Sequence, residues 1–128
     1  MNARSTFTPY KEAIVSPYIA KLFEKVPEEL KVKVRCAPAE NTWWDKIQIL
    51  NSMYKRPDEV DMHERSSRHL YDIYKMSKTD IKENAIHHPE ILIHTVEGKN
   101  NFYPQWWTDP AECLAKPIHI IPKEKHLK

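Results

Sequence analysis

Apolar residues recur at intervals of three and four positions along most of the chain, and this spacing is typical of amphipathic helices. The clearest pattern predicts a helix with Thr42 as its N-cap and Asp45 as the capping-box partner. Pro57 is expected to end this helix, because proline cannot continue a helical hydrogen-bond ladder. The buried face of this helix is predicted to consist of Trp43, Ile47, Leu50 and Tyr54.

A second helix is expected to begin near Glu64 and to lie antiparallel to the first, because the charged loop between them is short. This arrangement predicts that Lys46 of the first helix and Asp72 of the second reach a common cleft. The pattern places Arg65, Arg68 and Asp72 together on one charged face. The opposite, buried face is predicted to hold Leu70, Ile73 and Ser77.

The same spacing predicts three more helices. Residues 16–26 form an amphipathic pattern that starts with Ser16 as a cap and ends before Pro27. A short helix is expected over 77–86, and another over 88–102 that Gly98 ends or bends. The faces predicted to be buried are Ile19, Leu22, Phe23 and Val26 in the first of these helices, and Ile91, Leu92, Thr95 and Val96 in the last.

Apolar and basic residues alternate over 30–36, which predicts an edge strand with one solvated face. The basic face either meets phosphate or protects the edge from pairing with other chains. A brief strand is also expected at 118–121. Together these elements indicate an α+β fold, mainly α: a small helical domain over 16–122 with one or two short strands. Residues 1–15 are expected to form a flexible or extended arm, and residues 123–128 a basic tail.

Composition narrows the classes of function. The only glycine among 128 residues is Gly98, which excludes the P-loop and the glycine-rich dinucleotide fingerprint. A formal net charge of +2 does not by itself indicate a nucleic-acid binder. The sequence has no secretion signal and no apolar run near the roughly 18 residues of a membrane span, so we expect a soluble cytoplasmic protein.

The cysteines and histidines do not predict a metal site. Cys36 and Cys113 lack metal-ligand spacing, and we interpret them as buried thiols of a reducing cytosol, with a disulfide as the alternative. The seven histidines form no pair with zinc-ligand spacing on one helix face. The tryptophan pairs at 43–44 and 106–107 are expected to serve mainly as core, with base stacking as the alternative.

Candidate chemistry concentrates on the two central helices. Lys46 lies at the border of a buried face, where its ammonium either stabilises charge on a phosphoryl group or merely reaches solvent. Asp72 either acts as a base or metal ligand, or pairs with Arg68 four positions earlier. Arg56, Arg65 and Arg68 either bind phosphate or form a solvated face. For each residue, spacing alone favours the structural alternative.

Four segments in order resemble the later half of the AbiEii-type nucleotidyltransferase toxins. They are APAENTWWDKIQILNSMYKRP, RSSRHLYDIYKM, ILIHTVEGKNNFYPQWW and IHIIP, and the resemblance runs from about Ser16 to Pro122. In that family one helix carries a lysine and the next an aspartate of the nucleotidyltransferase active site. The matching positions here are Lys46 and Asp72. Basic residues around the family's phosphate cleft match Arg56, Arg65 and Arg68.

The resemblance also implies parts that this sequence lacks. Such enzymes use an earlier glycine-serine or glycine-glycine motif for the triphosphate and a D-x-D pair for Mg²⁺, and neither precedes Lys46. The chain therefore resembles the C-terminal portion of such an enzyme. It could be a separate subunit of a split enzyme, a truncated relic or an excised portion, and the sequence leaves these alternatives open. We expect the isolated chain to be inactive and without a cofactor, whereas a complete family enzyme would use Mg²⁺ and NTP.

The resemblance implies a role in a toxin–antitoxin, phage-defence system, with a site completed elsewhere. The implied partners are an N-terminal nucleotidyltransferase half, an antitoxin, a second copy of the chain, or RNA such as tRNA. No association with a membrane is expected. The alternative is a non-catalytic binding protein or relic that holds an antitoxin or RNA. Because the missing half would cover the strand at 32–36 and the aromatic tail, we expect an exposed apolar patch there and association through it.

Overall fold

The computed structural model describes residues 10–23, 25, 27–61, 65–102 and 104–123. Within these ranges the chain forms a helical core and a two-stranded antiparallel sheet. The elements are β1 (Lys11–Val15), β2 (Val32–Cys36), α1 (Ala39–Lys55), α2 (Ser67–Met76), α3 (Ile81–His87), α4 (Pro89–Phe102) and α5 (Glu112–Ala115). The predicted class, a small and mainly α-helical α+β fold, is confirmed. No helix in the described ranges is long and apolar enough to cross a membrane.

Helix α1 is the centre of the core, because α2, α3 and α4 all pack against it. Leu50 is fully buried there, and Trp44 contacts both the main cluster and a second cluster that α4 forms with Cys113. The main cluster consists of Trp43, Ile47, Leu50 and Met53 of α1, Ile73 of α2 and Ala85 of α3. The predicted buried face of α1 is therefore confirmed, except that Tyr54 is only half-buried.

The start of α1 differs from the prediction. The helix begins at Ala39, after Pro38 with φ −60° and ψ 156°, and the Asn41 N–H donates to the Pro38 carbonyl oxygen. Thr42 thus lies inside the first turn and does not cap the helix, so the predicted capping box with Asp45 is wrong. Proline fixes φ near −65° and lacks the N–H that a first turn leaves unpaired, so it sets the boundary earlier. Helix α1 ends at Lys55, before Pro57, as predicted.

The amphipathic helix predicted over 16–26 is wrong. Only a 3₁₀ helix forms, Tyr18–Leu22, and Phe23 after it is extended, with φ −102° and ψ 142°. Ile19 is 59% exposed and Leu22 82% exposed, whereas Ala20 is buried. Val26 lies outside the described residues. The apolar spacing does not produce an α-helix here, because most helical stability comes from packing an apolar face.

The predicted edge strand at 30–36 is present as β2, whose residues Val32 and Val34 pair with Val15 and Ala13 of β1. Residues 11–15 of the predicted arm are therefore extended and hydrogen-bonded, while residues 1–9 lie outside the described ranges. Cys113 is buried, Cys36 is half-buried, and both thiols are free.

In the strand predicted to carry an exposed apolar patch, Val32 is exposed, whereas Val34 and Cys36 are half-buried. Large apolar side chains are also exposed earlier in the chain, at Ile14, Val15, Tyr18, Ile19, Leu22 and Phe23. The aromatic tail is exposed at Phe102 and Trp106, so the expectation that Trp106 serves as core is wrong. Tyr103 lies outside the described residues.

The remaining helices agree with the predictions in type more than in detail. Helix α2 begins at Ser67, and Ser77 follows its end and is exposed rather than buried. The residues of α4 predicted to face inward are all buried, and Gly98 does not end this helix, which continues to Phe102. Glu64, the predicted start of α2, lies outside the described residues.

The strand predicted at 118–121 is wrong. Residues 117–120 have no regular secondary structure, and prolines stand close to both ends of the predicted strand, at Pro117 and Pro122. The His119 N–H donates to Asn51 Oδ1 at 3.0 Å, and the His119 ring stacks on Tyr54 with ring centroids 4.3 Å apart. A side chain of α1 therefore satisfies a backbone donor that a neighbouring strand would otherwise bind.

The packing around α1 predicts the cost of truncating its most buried side chain. Leu50→Ala should lower the free energy of unfolding by about 2–5 kcal/mol, because it removes buried methyl groups and leaves a cavity. Leu22→Ala is the matched control and should change it by less than about 0.5 kcal/mol, since Leu22 is exposed. Urea unfolding of both variants measures the difference, and equal effects would contradict the assigned core.

Candidate active site

Lys46 lies on the side of α1 that faces α2, and its ammonium group contacts two side chains of that helix. Its Nζ is 2.9 Å from Asp72 Oδ2 and 3.0 Å from His69 Nδ1. The side chains of Lys46 and Asp72 are 20% and 40% exposed. Asp72 thus forms its ion pair with a lysine of another helix, whereas Arg68, its predicted structural partner, is exposed. The structure brings together the lysine and aspartate that the sequence predicted to meet, and it adds His69.

Helix geometry explains how two residues of α2 reach one lysine. His69 and Asp72 are three positions apart, so their side chains leave α2 on the same side. Ile73, next to Asp72, is buried against α1 and determines how α2 is rotated. Arg65 was predicted to share a helical face with Arg68 and Asp72, but it precedes α2. Arg68 and Asp72 are four positions apart on the helix, and burial of Ile73 brings Asp72 to Lys46 of α1.

The contact with Lys46 determines which nitrogen of His69 carries a proton. A lysine ammonium has three N–H donors and no acceptor, so Nδ1 of His69 accepts. The neutral imidazole then carries its proton on Nε2, which is a donor. His69 was missed in the sequence, where its signal was the three-residue spacing from Asp72.

The surroundings of His69 favour its neutral form. Burial is the largest cause that lowers the pKa of His69 below the ordinary 6.5, and the positive charges of Lys46 and Arg68 lower it further. Asp72 acts in the opposite direction, and the charge of Lys99 adds a small decrease. Protonation of His69 would place an N–H on Nδ1 against the Lys46 ammonium and break their hydrogen bond.

A cleft of about 190 Å³ lies beside this group, between α1, α4 and the segment 105–113, and His69 forms part of its wall. Gln48, Ser52 and Arg56 line it at four-residue intervals along one side of α1. Lys99 of α4 also lines it, and burial lowers the pKa of this lysine. Of these four residues only Arg56 was predicted from the sequence, because the cleft forms only when α4 packs on α1.

The three candidate arginines do not form one cluster. Arg56 lines the cleft, donates to the Asp61 carbonyl oxygen, and holds its guanidinium carbon 5.4 Å from the centre of the Trp107 ring. Arg65 and Arg68 line a different, open groove. Any phosphate bound by all three would have to span both surfaces.

The side chains around Lys46 and Asp72 do not fit a binding site for a divalent metal. In the part of the chain that the structure describes, no three His, Cys, Asp or Glu side chains converge on one point. The carboxylate of Asp72 is paired with Lys46. Mg²⁺ prefers several oxygen ligands in octahedral geometry, which one ion-paired carboxylate does not provide.

The lowered pKa of His69 predicts a loss of stability in mild acid. The unfolded chain binds the His69 proton more readily than the folded chain, so the contribution of His69 is complete above pH 6.5 and lost as the pH falls below it. His69→Gln should therefore lose less stability than wild type between about pH 7 and pH 5. Urea unfolding across this range measures the effect.

The matched control for this experiment is His87→Gln, which removes an exposed histidine. Its curve should stay parallel to that of wild type. NMR titration of the His69 ring gives an independent reading, and a midpoint at or above 6.5 would contradict the assigned environment.

Comparison with known proteins gives a family. A family model described as "Nucleotidyl transferase AbiEii toxin, Type IV TA system" matches residues 1–127. No curated protein and no solved structure matches the chain. The family match extends beyond the range of about 16–122 over which the sequence motifs carry the resemblance. This chain belongs to the AbiEii family of nucleotidyl transferase toxins of type IV toxin–antitoxin systems.

Proposed function

We propose that this chain supplies Lys46 and Asp72 to an NTP-dependent nucleotidyl-transfer site that residues outside this sequence complete. The observation that carries the proposal is the 2.9 Å contact between Lys46 Nζ and Asp72 Oδ2, in a member of a nucleotidyl transferase family. In such a transfer an acceptor oxygen attacks the α-phosphorus, and the bond to the departing pyrophosphate breaks. A lysine positioned at the phosphates stabilises the charge that develops there.

The geometry around Lys46 suits this role. An ammonium group has three N–H donors. Asp72 and His69 accept two of them, which leaves the third for a phosphate oxygen. In the proposed mechanism Asp72 orients Lys46, and the neutral His69 directs it without adding charge. Both α2 residues are then positioning residues, and Lys46 is the group that touches the substrate.

In the proposal, residues outside this sequence complete the site. The sequence contains no glycine-serine motif that could bind a triphosphate and no D-x-D pair. In the proposal an N-terminal nucleotidyltransferase half provides both, together with the ligands of Mg²⁺, and an RNA such as tRNA is the acceptor. A cytoplasmic location and a role in phage defence belong to the same proposal.

The proposal predicts that pure chain transfers no nucleotide, and that a partner which supplies the missing motifs restores transfer through Lys46. In the restored system Lys46→Ala should lower the rate by about 100-fold or more, as removal of one charge-stabilising donor typically does. The measurement is transfer of label from each α-labelled NTP to total tRNA. Candidate partners are the products of neighbouring reading frames with a glycine-serine motif and a D-x-D pair.

The control variant is Lys82→Ala, which removes an exposed lysine of α3. It should leave the restored rate unchanged. Robust transfer by pure wild-type chain would show that the site is complete without a partner. Full activity of Lys46→Ala would remove Lys46 from the mechanism.

A second function, holding an antitoxin partner, is favoured by the exposed apolar side chains at 14–23. Among them Tyr18 is 87% exposed and Leu22 82%. A protein surface that covered them would remove this apolar area from water. This function needs no chemistry at Lys46.

The exposed surface predicts association of the chain with itself or with a cognate antitoxin. Sedimentation over a concentration series should show a larger species, and Leu22→Asp should shift the equilibrium towards the monomer, because it would bury an unpaired charge in the interface. Asn84→Asp on α3 serves as the control, because it adds the same single negative charge at an exposed position. A strictly monomeric wild type that binds no neighbouring gene product would rule this function out.

A further inference from the structure

Helix α2 and the turn after it present cations and aromatic rings to solvent. Arg68, Lys75 and Lys78 are exposed, and Tyr71 and Tyr74 are 59% and 54% exposed. At about 100° per residue, positions 68, 71 and 75 fall within about 60° of one another around the helix, and position 74 lies about 60° beyond position 71. Lys78 follows the end of the helix at Met76. These exposed residues, Arg68, Tyr71, Tyr74, Lys75 and Lys78, form the outer face of α2.

The charge of this outer face is positive. Asp72 is the only acidic residue between positions 65 and 79, and its carboxylate is paired with Lys46 of α1. The next acidic residue along the chain is Asp80, at the N-cap of α3. A concentration of positive charge on one exposed face attracts a polyanion.

The two tyrosines favour a nucleic acid over other polyanions. The Nζ atom of Lys75 lies 5.4 Å from the centre of the Tyr71 ring, and that of Lys78 lies 4.3 Å from the centre of the Tyr74 ring. Each ring thus has a cation beside it, while more than half of the side chain remains exposed. Proteins that bind single strands combine aromatic rings, on which bases stack, with cations that follow the phosphates. Because only an unpaired base can stack on a side chain in this way, the outer face suits a single strand rather than a duplex.

The outer face lies close to the candidate active site. Arg68 and Asp72 are four positions apart on α2, and Asp72 contacts Lys46 at 2.9 Å. Four positions correspond to about one helical turn, or about 5–6 Å along the axis. A strand bound at Arg68 therefore lies about one turn of helix from the lysine assigned to phosphate.

We propose that the outer face of α2 binds an unpaired segment of RNA, with bases stacked on Tyr71 and Tyr74 and phosphates bound by Arg68, Lys75 and Lys78. The inference rests on the proposed function, because it takes this RNA to be the acceptor, and it adds the surface that holds the acceptor beside Lys46.

The first test measures binding by the full wild-type chain. Fluorescence anisotropy is recorded with a labelled RNA of about 12 nucleotides that has no self-complementarity, and with the same RNA annealed to its complement. The single strand should bind about tenfold more tightly than the duplex, and about tenfold more tightly than inorganic polyphosphate used as a competitor. Three phosphate contacts predict that the logarithm of the affinity falls with the logarithm of salt concentration with a slope of about −2. Absence of binding, or equal binding of the duplex or polyphosphate, would overturn the proposal.

Substitutions of the rings test where the RNA binds. Tyr71→Leu and Tyr74→Leu should each weaken binding by about fivefold or more, whereas Tyr71→Phe and Tyr74→Phe keep a stacking ring and should stay within about twofold of wild type. The matched control is Tyr10→Leu, because Tyr10 is also exposed and Arg35 lies 4.6 Å from the centre of its ring. Tyr10→Leu should not change the affinity. If it weakened binding as much as Tyr71→Leu, the assignment to α2 would be wrong.

Substitution of a cation tests the phosphate contacts. Arg68→Gln should weaken binding and make the salt slope shallower by about 0.7, which is the contribution of one phosphate contact with a single strand. Lys82→Gln removes an exposed cation of α3 and should change neither quantity. An unchanged slope for Arg68→Gln would remove Arg68 from the surface.

The binding assay contains no NTP, so its outcome is independent of transfer at Lys46. RNA binding that depends on Tyr71 and Tyr74, together with full transfer by Lys46→Ala in the restored system, would overturn the proposed function and leave this surface standing. Transfer that depends on Lys46, together with RNA binding that neither tyrosine substitution weakens, would overturn this surface alone.

Discussion

The burial of α1 is the constraint on which most of the structure depends. Three helices pack against it, so several of its polar side chains bind partners within the protein rather than solvent. Asn51 illustrates the consequence, since it is 2% exposed, donates to Cys113 Sγ and accepts from the His119 N–H. These two bonds attach α5 and the irregular segment after it to the core without a sheet. The enclosure of α1 therefore both stabilises the fold and organises the chain that follows α4.

The same constraint explains the charged group at the border of α1. A lysine that is four-fifths covered needs an anion, because a partly desolvated charge without a partner is costly. Asp72 meets this need from α2, and burial of Ile73 next to it holds α2 in the rotation that makes the contact. An exposed pair between Arg68 and Asp72 would contribute little and would leave Lys46 unpaired. The cross-helix pair is thus the arrangement that the packing favours.

Sequence periodicity predicted the features that depend on one helix at a time. It identified α1 and α4 with their buried faces, and it placed Lys46 at a border. It failed for residues 16–26, where the apolar spacing is helical but the exposed side chains gain no packing. It could not find the cleft, because Gln48 and Thr95 are 47 positions apart and meet only when α4 packs on α1. The role of His69 was likewise hidden, since it depends on which side of α2 faces Lys46.

The position of His69 has a consequence for how the two parts of the site behave together. Its Nδ1 accepts from Lys46, and His69 also lines the cleft, so one residue is shared by the charged group and the cleft. A ligand that accepts from Nε2–H stabilises the tautomer that also accepts from Lys46. Groups that share a partner in this way have non-additive energies, so we expect substitutions of Lys46 and His69 to affect stability non-additively.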